Sequence, residues 1–400
     1  MQNIEELEKK LAVVSGKEKY SIIFELGGYY QNHSVEKAIE YCQKSLEKSV
    51  EKNDIQGETE TLNAIGLLYY VSGDFDRALE ILADSLKKTE EAGIEKGIAD
   101  SSFFMGHIYS ARGDYPEALE NYKRSLEMCE KTGEKSCIAR AANSIGIVYK
   151  KFGEYDSALE YYFKALKVMD DIDDKGTISN TLANIGIIYD YMRNFDKALE
   201  YHEKALNMRE EIGDDYMIGA SLLNIGAHYS TIDDKDKALK YYKKALSLKK
   251  KVDDNAGIAC LLNNIGLIYR GMEKYKEALD NLLDSLEIKE KTGDKRGIAA
   301  SSINIGELYI KLNDYKKAEE YLRKGLELAE EINSRALARD ANSAFCNLYT
   351  QIGDFEKALE HFRVFSDIKD EIFDEETSKR IAEMRAKFET AQKEKEAEIY

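Results

Sequence analysis

Apolar residues recur along the chain at steps of three and four. Around position 180, Ile178, Leu182, Ile185, Tyr189 and Met192 keep that step, which places them on one face of an α-helix. After Arg193-Asn194 the spacing restarts, with Phe195, Ala198, Leu199, His202, Ala205, Leu206 and Ile212 on a second face before Gly213-Asp214 ends it. The pattern predicts a helical hairpin, helix A followed by helix B. Short connections such as Gly73-Asp74, Gly113-Asp114, Gly153-Glu154 and Gly353-Asp354 supply a left-handed stop for one helix and often an N-cap acceptor for the next.

The hairpin returns every forty residues. Glycine stands at 66, 106, 146, 186, 226, 266 and 306, tyrosine at every fortieth position from Tyr29 to Tyr349, and alanine at every fortieth position from Ala38 to Ala358. Nine repeats follow. A lone hairpin cannot bury its apolar stripe, so neighbours must stack and share one core along a solenoid. The glycine and alanine columns are then read as points of close helix approach, where a larger side chain would hold two backbones apart. The ends break the pattern: Leu26 replaces the first glycine, with Gly27 and Gly28 after it, while Cys346, Phe365 and Ser366 occupy glycine, small-residue and leucine positions of the ninth unit. That unit is expected to pack against the C-terminal stretch, where Ile381, Met384, Phe388 and Ala391 keep coiled-coil spacing.

Composition narrows the partners. Four hundred residues carry 75 acidic and 58 basic side chains, a formal charge of -17, with 43% apolar residues, one proline and no tryptophan. Such a chain is nearly all helix. Its charge repels phosphate and offers no counterion release, which argues against nucleic acid. No stretch approaches the ~20 apolar residues needed to cross a bilayer, and Met1–Lys10 lacks an apolar signal core. A cytoplasmic location is expected. Cys42, Cys129, Cys137, Cys260 and Cys346 are odd in number with no C-x-x-C pair, and read as reduced thiols.

The motif Leu62-x-x-Ile65-Gly66-x-x-Tyr69, then Ala78-x-x-x-Leu82, resembles the tetratricopeptide repeat. Gly146/Tyr149/Ala158/Tyr162, Gly226/Tyr229/Ala238/Tyr242 and Gly306/Tyr309/Ala318/Leu322 repeat it, and the resemblance covers about residues 15 to 372. Leucine replaces the opening aromatic, as at Leu62, Leu182, Leu222 and Leu262, and the closing proline is missing. These longer units resemble the variant found in bacterial signalling proteins. A forty-residue period would also suit HEAT-type repeats, but the Gly-to-Ala spacing of twelve favours the tetratricopeptide reading. The resemblance implies an all-α fold, a right-handed superhelical solenoid of about nine hairpins over 15–372, with an N-terminal capping helix at 1–14 and a C-terminal helix or coiled-coil connector at 373–400.

Catalytic constellations do not emerge. There is no Gly-rich phosphate loop, G-x-S-x-G elbow or H-E-x-x-H motif, so neither an enzyme, a metal site nor a cofactor is expected. His202 and His228 take positions held elsewhere by Tyr162 and Ile188, and read as core substitutions; His33 lies in a turn and His361 on a helix B. Charge runs such as Lys249-Lys250-Lys251, and Glu127 with Glu130, read as solvated faces.

Binding is the more informative reading. Tetratricopeptide solenoids turn helix A toward the concave side, and the column one residue before the motif Ile/Leu runs Ala64, Phe104, Ser144, Asn184, Asn224, Asn264, Asn304 and Ala344. Four consecutive primary amides, each able to donate and accept, suit an extended peptide backbone, and the resemblance implies that role for these four. Asn63, Asn143 and Asn263 fill the adjacent column, while Phe103, Phe104 and His107 form an aromatic wall in the third repeat. The bland alternatives are asparagines that cap or bridge neighbouring A helices, and aromatics that fill interfaces. Arg140, Lys150 and Lys151 are the one basic group expected near the groove, against acidic Glu60, Asp100, Asp190, Glu307 and Asp340. The lysine and arginine clamp of family members that grip a terminal carboxylate is therefore not reproduced.

The expected function is a non-catalytic scaffold for a protein or extended peptide. The alternative is the sensory module of a bacterial signal-transduction protein, a histidine kinase, nucleotide cyclase or transcriptional regulator, coupled through the C-terminal helix. That helix is also expected to support a homodimer, and neither nucleic acid nor membrane is an expected partner.

Overall fold

A computed structural model describes residues 35–169 and 174–371; within each stretch helix follows helix, joined by two- or three-residue turns. The capping helix expected at 1–14, the first helix A, His33 and the connector at 373–400 with Ile381, Met384 and Phe388 lie outside the described residues.

The chain divides into two compact units at Ile212/Gly213. The first contains α1 (Val35–Glu51), α2 (Ile55–Val71), α3 (Phe75–Ala92), α4 (Glu95–Arg112), α5 (Tyr115–Thr132), α6 (Lys135–Lys151), α7 (Tyr155–Met169), α8 (Lys175–Tyr191) and α9 (Phe195–Ile212). The second contains α10 (Asp215–Thr231), α11 (Lys235–Lys251), α12 (Asn255–Gly271), α13 (Tyr275–Thr292), α14 (Lys295–Lys311), α15 (Tyr315–Glu331) and α16 (Arg335–Ile352), then α17 over 355–371. Even-numbered helices are the A helices and odd-numbered ones the B helices. From α2 to α14 each A helix packs most closely on the B helix that follows it, and within a unit most B helices also lie against the next A helix. Within each unit hairpins thus stack in chain order, and A helices such as α2, α8, α10 and α12 bury residues on more than one side.

Local chemistry explains the turns. Asp74, Asp254 and Asp294 accept the backbone N–H of Arg77, Gly257 and Gly297 at 3.2, 2.9 and 2.9 Å, satisfying donors that the first helical turn leaves open. Gly113 closes α4 at φ +89°, the left-handed stop that glycine adopts without strain. Arg193 takes the same conformation at φ 58° in the equivalent turn, so the geometry of the hairpin, rather than glycine itself, is what recurs.

The glycine column is a set of contact points. A methyl on Gly146 would lie 2.5 Å from Tyr162 Cε1, on Gly186 2.6 Å from His202 Nδ1, and on Gly306 2.6 Å from Leu322 Cγ. Tyr162, Leu322 and the alanines Ala78, Ala118, Ala158, Ala198, Ala238, Ala278 and Ala318 are fully buried. In the ninth unit Cys346 replaces the glycine, and its counterpart Phe362 is 51% exposed. The motif tyrosines stack on helix B, with Tyr149–Tyr161, Tyr189–Tyr201 and Tyr229–Tyr241 centroids 5.5 Å apart. His202 and His228 are buried, as their columns predict.

Two sequence expectations are corrected. Cys129 and Cys137 are not separate thiols: they form a disulfide with Cα atoms 5.5 Å apart, while Cys42, Cys260 and Cys346 are free. The turn at Gly133 folds the end of α5 onto the start of α6, so two cysteines without a local motif become neighbours. Lys249 is not part of a solvated face. It is buried and pairs with Asp254 at 2.7 Å, because its register is that of Cys129 and Met169, which are also buried.

Candidate functional site

The asparagine columns lie on the A helices, and the structure sorts their members. In the first unit Asn143 Oδ1 accepts from Thr181 Oγ1 at 3.3 Å and from Asn184 Nδ2 at 3.4 Å, linking α6 to α8. Asn63 Oδ1 accepts from Ser101 Oγ at 2.9 Å, linking α2 to α4. In the second unit Asn304 Nδ2 donates to Asn263 Oδ1 at 3.4 Å, linking α12 to α14. Asn184 and Asn304, two of the four amides expected to meet a ligand backbone, are here engaged between neighbouring A helices, since the period that aligns the columns also brings them within reach of one another.

Asn224 and Asn264 differ. Both are half-buried; Asn264 Nδ2 has only Cys260 Sγ at 3.9 Å, and the Asn224 side chain makes no hydrogen bond among the described residues. Half-buried amides with unused donors and acceptors are the groups an incoming backbone satisfies.

The aromatic group in α4 is partly core. Phe103 is buried and sits in one cluster with Ala99, Tyr122 and Leu126. Its ring centroid is 4.6 Å from that of His107 and 5.7 Å from that of Tyr122, and the Arg140 guanidinium lies 4.9 Å above it. Phe104 and His107 are half-buried. Burial, then the Arg140 charge, lowers the His107 pKa, keeping the imidazole neutral near pH 7. Arg140 also reaches Asp100 Oδ1 at 3.5 Å; burial raises the Asp100 pKa against the pull of Arg140. Lys150 is half-buried, and burial followed by Lys151 lowers its pKa. Arg270 and Glu307 pair across α12 and α14 at 2.6 Å, so part of the acidic column is already neutralised.

Sequence reasoning missed a feature on the B helices. Arg209, Lys249 and Lys289 hold one register in three consecutive repeats, at a position filled elsewhere by buried Ser49, Thr89, Cys129, Met169 and Ala329 and, in the last unit, by exposed Lys369. Aligning position 249 with 129 and 169 would have exposed it. Beside Lys289 a cavity of about 530 Å³ opens between α12 and α14. No cluster of three or more His, Cys, Asp or Glu able to hold a metal occurs among the described residues, and none of their helices is long and apolar enough to cross a membrane.

The tetratricopeptide repeat profile matches residues 98–171, 177–251 and 257–331, and a second tetratricopeptide repeat profile matches 59–92. The chain belongs to the tetratricopeptide repeat family. No curated protein sequence matches it significantly. Among solved tetratricopeptide-like folds, a Rap protein complexed with competence and sporulation factor is 18% identical, covers 90% of this chain and 99% of its own, and superposes with a TM-score of 0.59. The apo quorum sensor NprR from B. thuringiensis is 18% identical over 81% of this chain and 91% of its own, with a TM-score of 0.62. A signal transduction ATPase with numerous domains from Pyrococcus horikoshii, which carries a tetratricopeptide repeat sensor, is 16% identical over 92% of this chain and 55% of its own, with a TM-score of 0.61. At these identities the tetratricopeptide likeness is one of fold.

Proposed function

We propose that this tetratricopeptide protein is a non-catalytic, cytoplasmic binding scaffold whose A-helix face takes an extended peptide or protein segment. The observation that carries the reading is the pair Asn224 and Asn264, half-buried amides in successive A helices with no protein oxygen or nitrogen partner among the described residues. An extended backbone offers alternating donors and acceptors that match them. Within the second unit Asn304 and Asn263, already linked between helices, would hold the A-helix spacing; within the first unit Asn184, Asn143 and Asn63 would do the same, and Phe104, His107, Arg140 and Lys150 would contact side chains of a segment bound to that unit. The Rap structure, solved with competence and sporulation factor, supports a peptide as the class of partner.

The test is selection of binders from a random peptide library on the immobilised protein, followed by calorimetry. Loss of binding in Asn224→Ala/Asn264→Ala, with retention when exposed B-helix residues such as Lys240 are changed, supports the reading; equal affinity in both variants removes it.

A second reading, a regulatory input module, is favoured by the last described helix. Phe355, Leu359 and Phe362, at i, i+4 and i+7 on α17, are 71, 49 and 51% exposed, an apolar face suited to a further segment, an output domain or a second copy of the chain. The sensor in the Pyrococcus horikoshii protein is consistent with such coupling. Hydrogen exchange on α17 with and without a selected peptide distinguishes this reading from a passive scaffold: unchanged exchange argues against coupling.

A further inference from the structure

One register of the B helices holds a cation in three successive repeats, and in the last of them that cation makes no ion pair among the described residues. Arg209 is satisfied within the first unit by Ser179 Oγ at 3.2 Å and Asn180 Oδ1 at 2.6 Å. Lys249 pairs with Asp254 at 2.7 Å and lies under the ring of Tyr216, 3.5 Å from its centroid. Lys289 has neither device. Ala256 stands where Tyr216 stands in the preceding repeat, so no ring covers the ammonium. Asp294, the counterpart of Asp254, caps Gly297 N–H at 2.9 Å and makes no ion pair with the lysine. The one hydrogen bond of Lys289 Nζ among the described residues goes to the neutral Ser301 hydroxyl, at 2.8 Å.

Replacing the ring by a methyl also makes room. The cavity of about 530 Å³ is lined by Asn255, Ala256, Cys260, Asn263, Lys289 and Arg296 among others, a size suited to a side chain and its flanking backbone. Gly297 leaves room for two side chains: a methyl there would meet the Asp294 carboxylate first and would lie 2.9 Å from Lys289 Cδ. Arg296 is exposed and makes no ion pair among the described residues. Burial lowers the Lys289 pKa, while Asp294 and Cys260 act to raise it. A partly desolvated ammonium with only a hydroxyl partner carries a cost that an incoming anion relieves.

We infer that this cavity binds an anionic side chain of an extended peptide, a carboxylate or a phosphate monoester, through Lys289, with Arg296 and Asn263 beside it. The inference rests on the reading of the A-helix face as the ligand groove and names the chemistry of one of its subsites.

The test uses the full chain and three probes: acetyl-Ala-Ala-Glu-Ala-Ala-amide and its glutamine and phosphoserine counterparts, titrated while the backbone amide resonances of Gly297 and Ala300 are followed. The glutamate or phosphoserine peptide is expected to bind about tenfold more tightly than the glutamine peptide, the ratio that about 1.4 kcal/mol confers. Lys289→Met should erase that preference. Ala256→Tyr, which keeps the lysine and rebuilds the ring found over Lys249, should abolish binding of every probe at an unchanged melting temperature. A tighter phosphoserine peptide assigns the site to a phosphorylated partner, a tighter glutamate peptide to an acidic one. Equal binding of glutamine and glutamate peptides, or a preference that survives Lys289→Met, overturns the inference. Should Asn224→Ala/Asn264→Ala leave library-selected binders untouched while the dependence on Lys289 persists, the groove reading fails and this site stands; the reverse pattern removes the site alone.

Discussion

The ring of Tyr162 packs directly on the backbone of Gly146, with Cε1 2.5 Å from the point a β-carbon would occupy. Gly146→Ala therefore sets two effects against each other. Alanine gains about 1 kcal/mol of helix propensity over glycine, but forcing a methyl into a packed contact costs about 1–3 kcal/mol. The steric term is expected to win, lowering the urea-unfolding midpoint. Gly176→Ala is the matched control: its methyl would meet only Asp174 Oδ1, at 3.4 Å, and the variant should be neutral or more stable.

Tyr162 also tests what its hydroxyl contributes. The Oη atom is buried and has no hydrogen-bond partner among the described residues, and burial raises its pKa. Removing an unsatisfied buried polar group relieves a desolvation cost of about 1–3 kcal/mol. Tyr162→Phe should match or exceed the wild-type midpoint, whereas Tyr162→Ala should cost about 3–5 kcal/mol.

Asp254 makes stability depend on acidity. Burial pushes its carboxyl pKa up, but the Lys249 side chain and the Gly257 N–H outweigh this and hold it below the ordinary 3.8. A depressed folded pKa stabilises fully above the unfolded value and is lost as the pH falls through the folded one. Asp254→Asn keeps a capping side chain but strands a buried ammonium, at a cost of about 3 kcal/mol near neutrality. The gap between the wild type and the variant should be constant above about pH 5 and close as the pH falls below 3.8, read from denaturation midpoints across pH.

The Cys129–Cys137 bond joins the end of α5 to the start of α6. Purified without reductant, the protein should yield a linked pair of proteolytic peptides that separates on reduction, two hydrogens heavier in total. Recovery of both peptides as free thiols under oxidising conditions would count against the bond.

The columns show how much was legible in the sequence. Gly146, Ala158 and Tyr162 recur because the same hairpin is built repeatedly, so helix limits, turns and the core could be read from spacing alone. Proximity across hairpins was harder. Asn143 meets Asn184 and Cys129 meets Cys137 through packing that no single-helix pattern encodes. Lys249 was misread because its neighbours Lys250 and Lys251 are exposed; the run suggested solvent, and only its register pointed inward. The cavity beside Lys289 depends on a missing ring at Ala256, a feature visible only once the repeats are superposed.

Whether the A-helix face holds an extended ligand backbone is read from the calorimetric affinity of a library-selected peptide for wild type and for Asn224→Ala/Asn264→Ala. Two amides each lose a backbone hydrogen bond of about 0.5–1.5 kcal/mol, so the affinity should fall by a factor on the order of ten to a hundred. An undiminished affinity in the double variant, with its melting temperature unchanged, would contradict the account.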